Sequence, residues 1–282
     1  TVVEIPFALG EHAGKDPKKA DWPHYYKFMN AQLTELLTQY GKVDGIWFDG
    51  WWDHDEDSIP FNWQLPEQYR LIHSLQPACI IGNNHHQTPF EGEDMQMFER
   101  DIPGENKSGL SGQSISQLPL ETCQTMNGMW GYKIKDQDYK STKDLIRLLV
   151  RTAAKGANLL LNIGPQPNGE LPATALDRLK GIGEWLNGKA GESIYATVSG
   201  GVTAGDSIVT TMGKGRKAPL YIHVLTDKAM PQISLPLEKK PRRATNLTTG
   251  SSMKMHKKGK DVVFSPTDMK DNETDYIIKV EF

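Results

Sequence analysis

The chain has 282 residues, enough for one large domain and a small one, and its 38% hydrophobic and 24% charged content is ordinary for a globular protein. A formal net charge of -3, with no basic stripe interleaved with aromatics, argues against an electrostatic nucleic-acid binder. No apolar run approaches the roughly 18 residues a membrane-spanning helix needs, and Cys79 and Cys123 are too few for a disulfide scaffold and lack metal-ligand spacing. The opening Thr-Val-Val-Glu-Ile-Pro has neither a charged n-region nor an apolar h-region, so no signal peptide is expected; the lack of an initiator Met leaves room for a processed or truncated amino end.

The predicted elements alternate between helix and strand up to about residue 195. At most one strand fits near residues 2–8. Tyr25, Tyr26, Met29, Leu33, Leu36 and Leu37 recur at helical spacing over residues 22–40, and Gly41 stops them. Residues 43–49 (Val-Asp-Gly-Ile-Trp-Phe-Asp) read as a buried strand that ends in Asp49-Gly50, followed by Trp51, Trp52 and Asp53. A carboxylate at the carboxyl end of a buried strand is where an α/β barrel keeps its chemistry, and indoles beside acids suit a ligand with one apolar face and many hydroxyls. Equally, Asp49 could cap a turn while the tryptophans fill a core.

Pro66 opens a helix through Leu75, after which residues 78–84 form a second buried strand with the polar tip Asn83-Asn84. Residues 87–119 are rich in Gly, Pro, Ser and Asn, as in a long functional loop region, with one short strand from Met95 to Glu99. A strand over Thr122–Met126 leads to Trp130-Gly131-Tyr132. Ser141 caps a helix with Asp144 at its third position, residues 157–163 make another buried strand, and Leu171-Pro172 starts an amphipathic helix. Past Ile194-Tyr195 helical patterns vanish, and short strand-like segments at 207–212, 220–225, 232–235, 244–248, 261–264 and 276–280 signal a small antiparallel sandwich. The expected domains are therefore 1–195 and 196–282.

Acids crowd the segments that follow the strands: Asp53, Asp55, Glu56 and Asp57 after the first, then Glu91, Glu93, Asp94, Glu99, Asp101, Glu105 and Glu121. Glycoside hydrolysis needs two carboxyl groups about 5 Å apart for retention, or farther apart for inversion, and residue patterns alone reach only two acids from two strand ends. His85-His86 follows the tip Asn83-Asn84; with no nearby Cys or third His, the pair reads as hydrogen-bonding residues, and neither metal nor cofactor is expected.

Four ordered segments resemble the α-L-fucosidases of glycoside hydrolase family 29. Glu35 to Gly50 is similar to the nucleophile region, Leu120 to Tyr132 to the "Glu-Thr-Cys … Trp-Gly-Tyr" pattern, Asn158 to Pro172 to a stretch near the end of the barrel, and Gly183 to Thr197 to its exit. The resemblance implies a (β/α)8-like, TIM-type barrel followed by a small antiparallel β-sandwich, and a retaining exo-glycosidase acting on fucosylated oligosaccharides or glycoconjugates. It implies Asp49 as the nucleophile and, by alignment of Met97 to Pro103, Glu99 as the acid/base, with Glu121 and Glu105 as runners-up. Trp47 and Trp130 match pocket-walling positions, and Asn84, His85 and His86 fall near the substrate-contacting loop, where many members carry an Arg. Secreted or periplasmic location is the family's expectation.

One departure has consequences. Family barrels begin over a hundred residues before the nucleophile, whereas only five or six candidate barrel strands are counted here against the eight of a closed barrel. The expectation is a barrel incomplete at its N-terminal side: a fragment, a chain completed by a partner, or an open sheet. The competing functions are an active fucosidase, a non-catalytic fucoside-binding remnant, and a retaining hydrolase of another sugar.

Overall fold

The computed structural model describes residues 22–51 and 61–282. The strand expected near residues 2–8, and Trp52, Asp53, Asp55, Glu56 and Asp57, lie outside these residues. The described residues fall into two compact units, divided between Glu121 and Thr122. Among the described residues no helix is long and apolar enough to cross a membrane.

In the first unit, helix α1 (Trp22–Gln39) precedes strand β1 (Gly45–Phe48), and helix α2 (Leu65–Leu75) leads into β2 (Ile80–Asn83). β1 and β2 pair in parallel, with Trp47 opposite Gly82 and Phe48 opposite Asn83. That is the geometry expected when a helix connects two adjacent strands. Alternation along the strands decides what faces what. Ile46 and Ile81 join Leu33, Leu37, Tyr69 and Ile72 in the core beneath the two helices. Trp47, Asp49, Gly82 and Asn84 therefore fall on the opposite face. A Cβ at Gly82 would come within 3.1 Å of Met95 and Met97 side-chain atoms, which would have to give by a few tenths of an ångström. Strand β3 (Gln96–Glu99) is buried along its whole length.

β4 (Leu120–Thr125) begins at the junction of the units, and in the second unit it is followed by helix α3 (Thr142–Ala154), β5 (Ala157–Asn162) and helix α4 (Ala173–Asn187). The expected cap of α3 is present: the Asp144 amide donates to Ser141 Oγ at 3.1 Å, and that hydroxyl donates to the Asp144 carboxylate at 2.6 Å. The tip of β5 holds the Trp130 segment in place. Asn162 Nδ2 donates to the Trp130 carbonyl at 2.6 Å. A Cβ at Gly164 would lie 2.4 Å from the Tyr132 amide nitrogen, so only glycine allows that approach.

After a short 3-10 turn (Lys189–Ser193) come strands β6 (Thr197–Ser199), β7 (Ile208–Gly213), β8 (Leu220–Val224), β9 (Ile233–Leu235), β10 (Arg243–Asn246), β11 (Lys254–Lys258), β12 (Asp261–Ser265) and β13 (Tyr276–Glu281). They build a five-stranded sheet, β10-β13-β8-β7-β6, and a three-stranded sheet, β11-β12-β9. Every pair whose register is described is antiparallel. Ile222, Val224, Ile278 and Val280 of the first sheet share one core with Ile233, Leu235, Val262 and Phe264 of the second.

Helix content ends near residue 195, but packing does not break there. Ile146, Val150 and Ala154 of α3 share a core with Val209 and Leu225. Arg147 donates to the carbonyls of Thr226, Glu273 and Thr274 at 2.9–3.0 Å. The second unit thus joins the last helices to the strands that follow them.

Candidate active site

Three strand ends of the first unit bring Asp49, Asn84 and Glu99 together. Asp49 follows β1, Asn84 follows β2, and Glu99 closes β3. Asn84 Nδ2 donates to Asp49 Oδ1 at 3.3 Å and to Glu99 Oε2 at 2.9 Å. Two carboxylates on one nitrogen identify that atom as the amide's NH2 group. The two carboxylate oxygens can be no farther apart than these bonds laid end to end, about 6 Å. A separation of this size between the held oxygens admits the roughly 5–5.5 Å spacing of retaining carboxyl pairs.

Each carboxylate has one oxygen held and one left open. Asp49 Oδ1 also accepts from the Gly50 amide at 3.0 Å. Glu99 Oε2 also accepts from His86 Nε2 at 2.9 Å. Asp49 Oδ2 and Glu99 Oε1 form no hydrogen bond among the described residues. Desolvation by the surrounding protein pushes the Asp49 carboxyl above its ordinary value, with the Glu99 charge adding to it; Asn84 and Gly50 oppose the shift. The hydrogen bond from His86 holds Glu99 below its ordinary value against its own burial.

Backbone strain marks the same strand ends. His86 and Arg100 have φ of 59° and 61°, and Gly50, directly after Asp49, has φ of 81°. Left-handed backbone at non-glycine residues costs of order 1–3 kcal/mol and collects where geometry is enforced. Asn84, 4% exposed, also has its Oδ1 buried without a partner among the described residues.

The two histidines have different surroundings. His86 faces Glu99. His85 is 2% exposed and has both ring nitrogens engaged. Its Nδ1 accepts from the Gln87 amide at 2.9 Å, so its Nε2 carries the proton and donates to Glu93 Oε1 at 2.8 Å. Glu93 Oε1 also accepts from Tyr69 at 2.9 Å, and Asn83 Nδ2 donates to the Tyr69 hydroxyl at 2.8 Å. Burial first, then the Glu93 charge, raises the Tyr69 hydroxyl's pKa far above its ordinary value. His85 therefore has no polar atom to offer a ligand; with Glu93 and Tyr69 it fixes the turn that carries Asn84 and His86. Residue patterns missed this scaffold, since Glu93 was one acid among many and Tyr69 one apolar helix position.

Of the other sequence candidates, Trp47 shares a face with Asp49, and Trp51 stacks edge-on against His85 and Phe90 at 6.4 and 6.2 Å. Glu105 pairs with Lys107 at 3.0 Å. Glu121 is half-buried, which raises its carboxyl, and it takes no part in the Asp49–Asn84–Glu99 assembly. Trp130 belongs to the second unit. Among the described residues no group of three His, Cys, Asp or Glu could hold a metal ion.

The hydrogen bond from His86 is the largest influence that lowers the Glu99 pKa, so replacing it has a definite sign. Removing its donor by His86→Phe lets the Glu99 pKa rise, and the proton on the carboxyl pair then survives to higher pH. The expected result is a basic limb of the kcat/KM profile moved to higher pH. An unmoved limb would mean that another group sets it.

The family profile described as alpha-L-fucosidase matches residues 6–191. The chain is 42% identical over 179 residues to an α-L-fucosidase of Dictyostelium discoideum, covering 61% of this chain and 35% of that one. It is 39% identical over 188 residues to the plasma α-L-fucosidase of Homo sapiens, covering 54% and 40%. The chain thus spans little more than a third of the length of these curated relatives. Among solved structures, α-L-fucosidase isoenzyme 1 from Paenibacillus thiaminolyticus superimposes with a TM-score of 0.75 at 29% identity, over 97% of this chain and 66% of that one. A Bacteroides thetaiotaomicron α-L-fucosidase, trapped as a covalent intermediate, has the same fold, with a TM-score of 0.72 at 22% identity over 92% and 61%. The profile covers well over half of the sequence, and its span contains all three residues of the carboxylate–amide bridge: this chain belongs to the α-L-fucosidase family.

Proposed function

We propose that this chain carries the catalytic carboxylates of a retaining α-L-fucosidase that removes terminal fucose from oligosaccharides or glycoconjugates. The observation that supports this reading is the Asn84 bridge, which brings the two carboxyl groups to one amide and keeps Asp49 Oδ1 and Glu99 Oε2 within about 6 Å of each other. In the proposed mechanism Asp49 Oδ2 attacks the anomeric carbon while Glu99 Oε1 gives its proton to the departing oxygen. Glu99 Oε1 then takes a proton from water, which attacks the same carbon and releases Asp49. Each role uses the oxygen that the hydrogen bonds leave open.

One proton shared between the two roles, on Glu99 with Asp49 ionised, is the working state. With the site empty, burial favours the proton on Asp49 and His86 disfavours it on Glu99. A bound fucoside reverses this, because the leaving oxygen accepts only from a protonated Glu99 and positive charge at the anomeric carbon favours an anionic Asp49. Trp47, on the Asp49 face, supplies an apolar wall for the C5-methyl side of the sugar.

Only five barrel-type strands, β1 to β5, occur among the described residues, and eight close such a barrel. Superposition uses 97% of this chain but 66% of the Paenibacillus enzyme. In our reading the chain carries the later part of the barrel, and turnover needs the remaining strands. The test is to follow an aryl α-L-fucoside by NMR with this chain alone and with a form extended at its amino end. Expected is turnover by the extended form, with α-fucose appearing before mutarotation. First-formed β-fucose would overturn the retaining assignment. Fucose binding without turnover in both forms would favour a binding remnant, and cleavage of galactosides alone another sugar.

A further inference from the structure

We infer that the sandwich carries a second, non-catalytic site that binds an acidic saccharide through its sulfate or carboxylate groups. The first observation is charge. Residues 196–282 hold 14 Lys and Arg against 9 Asp and Glu, whereas residues 1–195 hold 18 against 26. An acidic chain thus carries a sandwich of net charge +5, and asymmetry of this kind points to an anionic partner of the basic part.

The second observation is where that charge collects. Side chains alternate across the five-stranded sheet. Ala244, Ile278, Val280 and Leu220 point into the sandwich core. Their neighbours Arg243, Lys279, Glu281 and Tyr221 therefore point outward, with Arg243 opposite Glu281 and Lys279 opposite Tyr221. Over this outer face lies a cleft of about 580 Å³, into which Lys217, from the β7–β8 turn, and Arg242 also reach.

The lining is built rather than merely basic. Tyr221 is 3% exposed and donates to Glu192 Oε1 at 2.7 Å. Glu192 in turn pairs with Lys279, so the cleft floor is fixed by a three-residue network. Arg243 lies 4.0 Å from Glu281, a loose pair that leaves its guanidinium largely available. Lys217 and Arg242 form no ion pair among the described residues. Four cations against two carboxylates leave the cleft positive. Arginine's planar fork matches sulfate and carboxylate oxygens two at a time. The choice of a saccharide over other polyanions rests on the fucosidase reading, since such an enzyme gains from holding a long acidic glycan while it trims fucose from it.

The test measures binding of the full chain to sulfated dextran oligosaccharides, polygalacturonate oligosaccharides and neutral dextran at low ionic strength, by calorimetry. It uses no turnover, so its outcome is independent of the catalytic assignment. Expected is binding of at least one acidic saccharide and none of neutral dextran, with whichever acid binds tighter naming the anionic group. Lys217→Ser combined with Arg242→Ser should weaken that binding about tenfold or more while leaving the urea midpoint unchanged. Lys254→Ser combined with Lys257→Ser, exposed positions on β11 of the other sheet, should leave it nearly unchanged. Equal loss in both double variants would mean diffuse attraction and overturn the site. So would an unaffected first variant, or single-stranded DNA of equal charge binding as tightly as the saccharide.

Discussion

Asp49→Asn is expected to reduce kcat/KM on an aryl α-L-fucoside by about 10⁴-fold or more, roughly 5.5 kcal/mol of transition-state stabilisation, while the fold remains intact. An amide cannot form the covalent ester, yet its carbonyl can still accept from Gly50 and Asn84 in the geometry of Oδ1. The stability effect has its own sign. Because the folded protein raises the Asp49 pKa, the ionised form is disfavoured in the fold, and the native carboxylate costs stability wherever it is charged. The neutral variant should therefore be as stable as the parent or more so above that raised pKa. The difference should vanish as pH falls below the ordinary carboxylate range, where both side chains are neutral. Urea unfolding at neutral and at acid pH checks this beside the kinetics. A folded Asn variant that kept more than about a few per cent of the parent rate would remove Asp49 from the nucleophile's role.

Much of this site can be read from residue patterns because barrel chemistry sits at strand ends. The apolar run before Asp49-Gly50 and the polar tip after Ile80-Ile81 both give strand and terminus at once, and β1 and β2 do pair in parallel. What residue order could not carry is distance between strand ends. The bridge depends on Asn84 lying on the Asp49 face, a fact of register, and on the left-handed turns at His86 and Arg100, which no glycine marks. Long-range partners stayed hidden for the same reason: Tyr69 and Glu93 are 24 residues apart and meet only through folding. In the sandwich, alternation gave the buried strands but missed β11, Lys254–Lys258. That strand is mostly exposed and has little apolar periodicity to detect. β6, three residues at Thr197–Ser199, was too short to stand out.

Glu99→Ala should separate substrates by their leaving groups. A proton from Glu99 matters most when the departing oxygen is a poor leaving group, as in a natural-type disaccharide, and least when an activated aryl oxide departs. The disaccharide rate should fall by about 10²–10⁴-fold, the usual reach of general acid catalysis, and the first step with the aryl fucoside far less. Loss of the general base then leaves the fucosyl-Asp49 ester waiting for water. Azide needs no deprotonation and can enter from the face that Glu99 served, so it should restore aryl fucoside turnover. Attack from that face gives α-fucosyl azide, with the substrate's configuration retained. A nucleophile-deficient protein rescued by azide gives the β-azide instead, so the product's anomer tells the two carboxylates apart. Alanine also leaves Asn84 and His86 without the acceptor they share, and Glu99→Gln, which keeps a carbonyl oxygen there, controls for disorder of that turn. Equal losses on both substrates, with no azide product, would shift the acid/base role to Glu121 or Glu105. Glu121 would be favoured of the two, since burial raises its carboxyl while Glu105 is tied to Lys107.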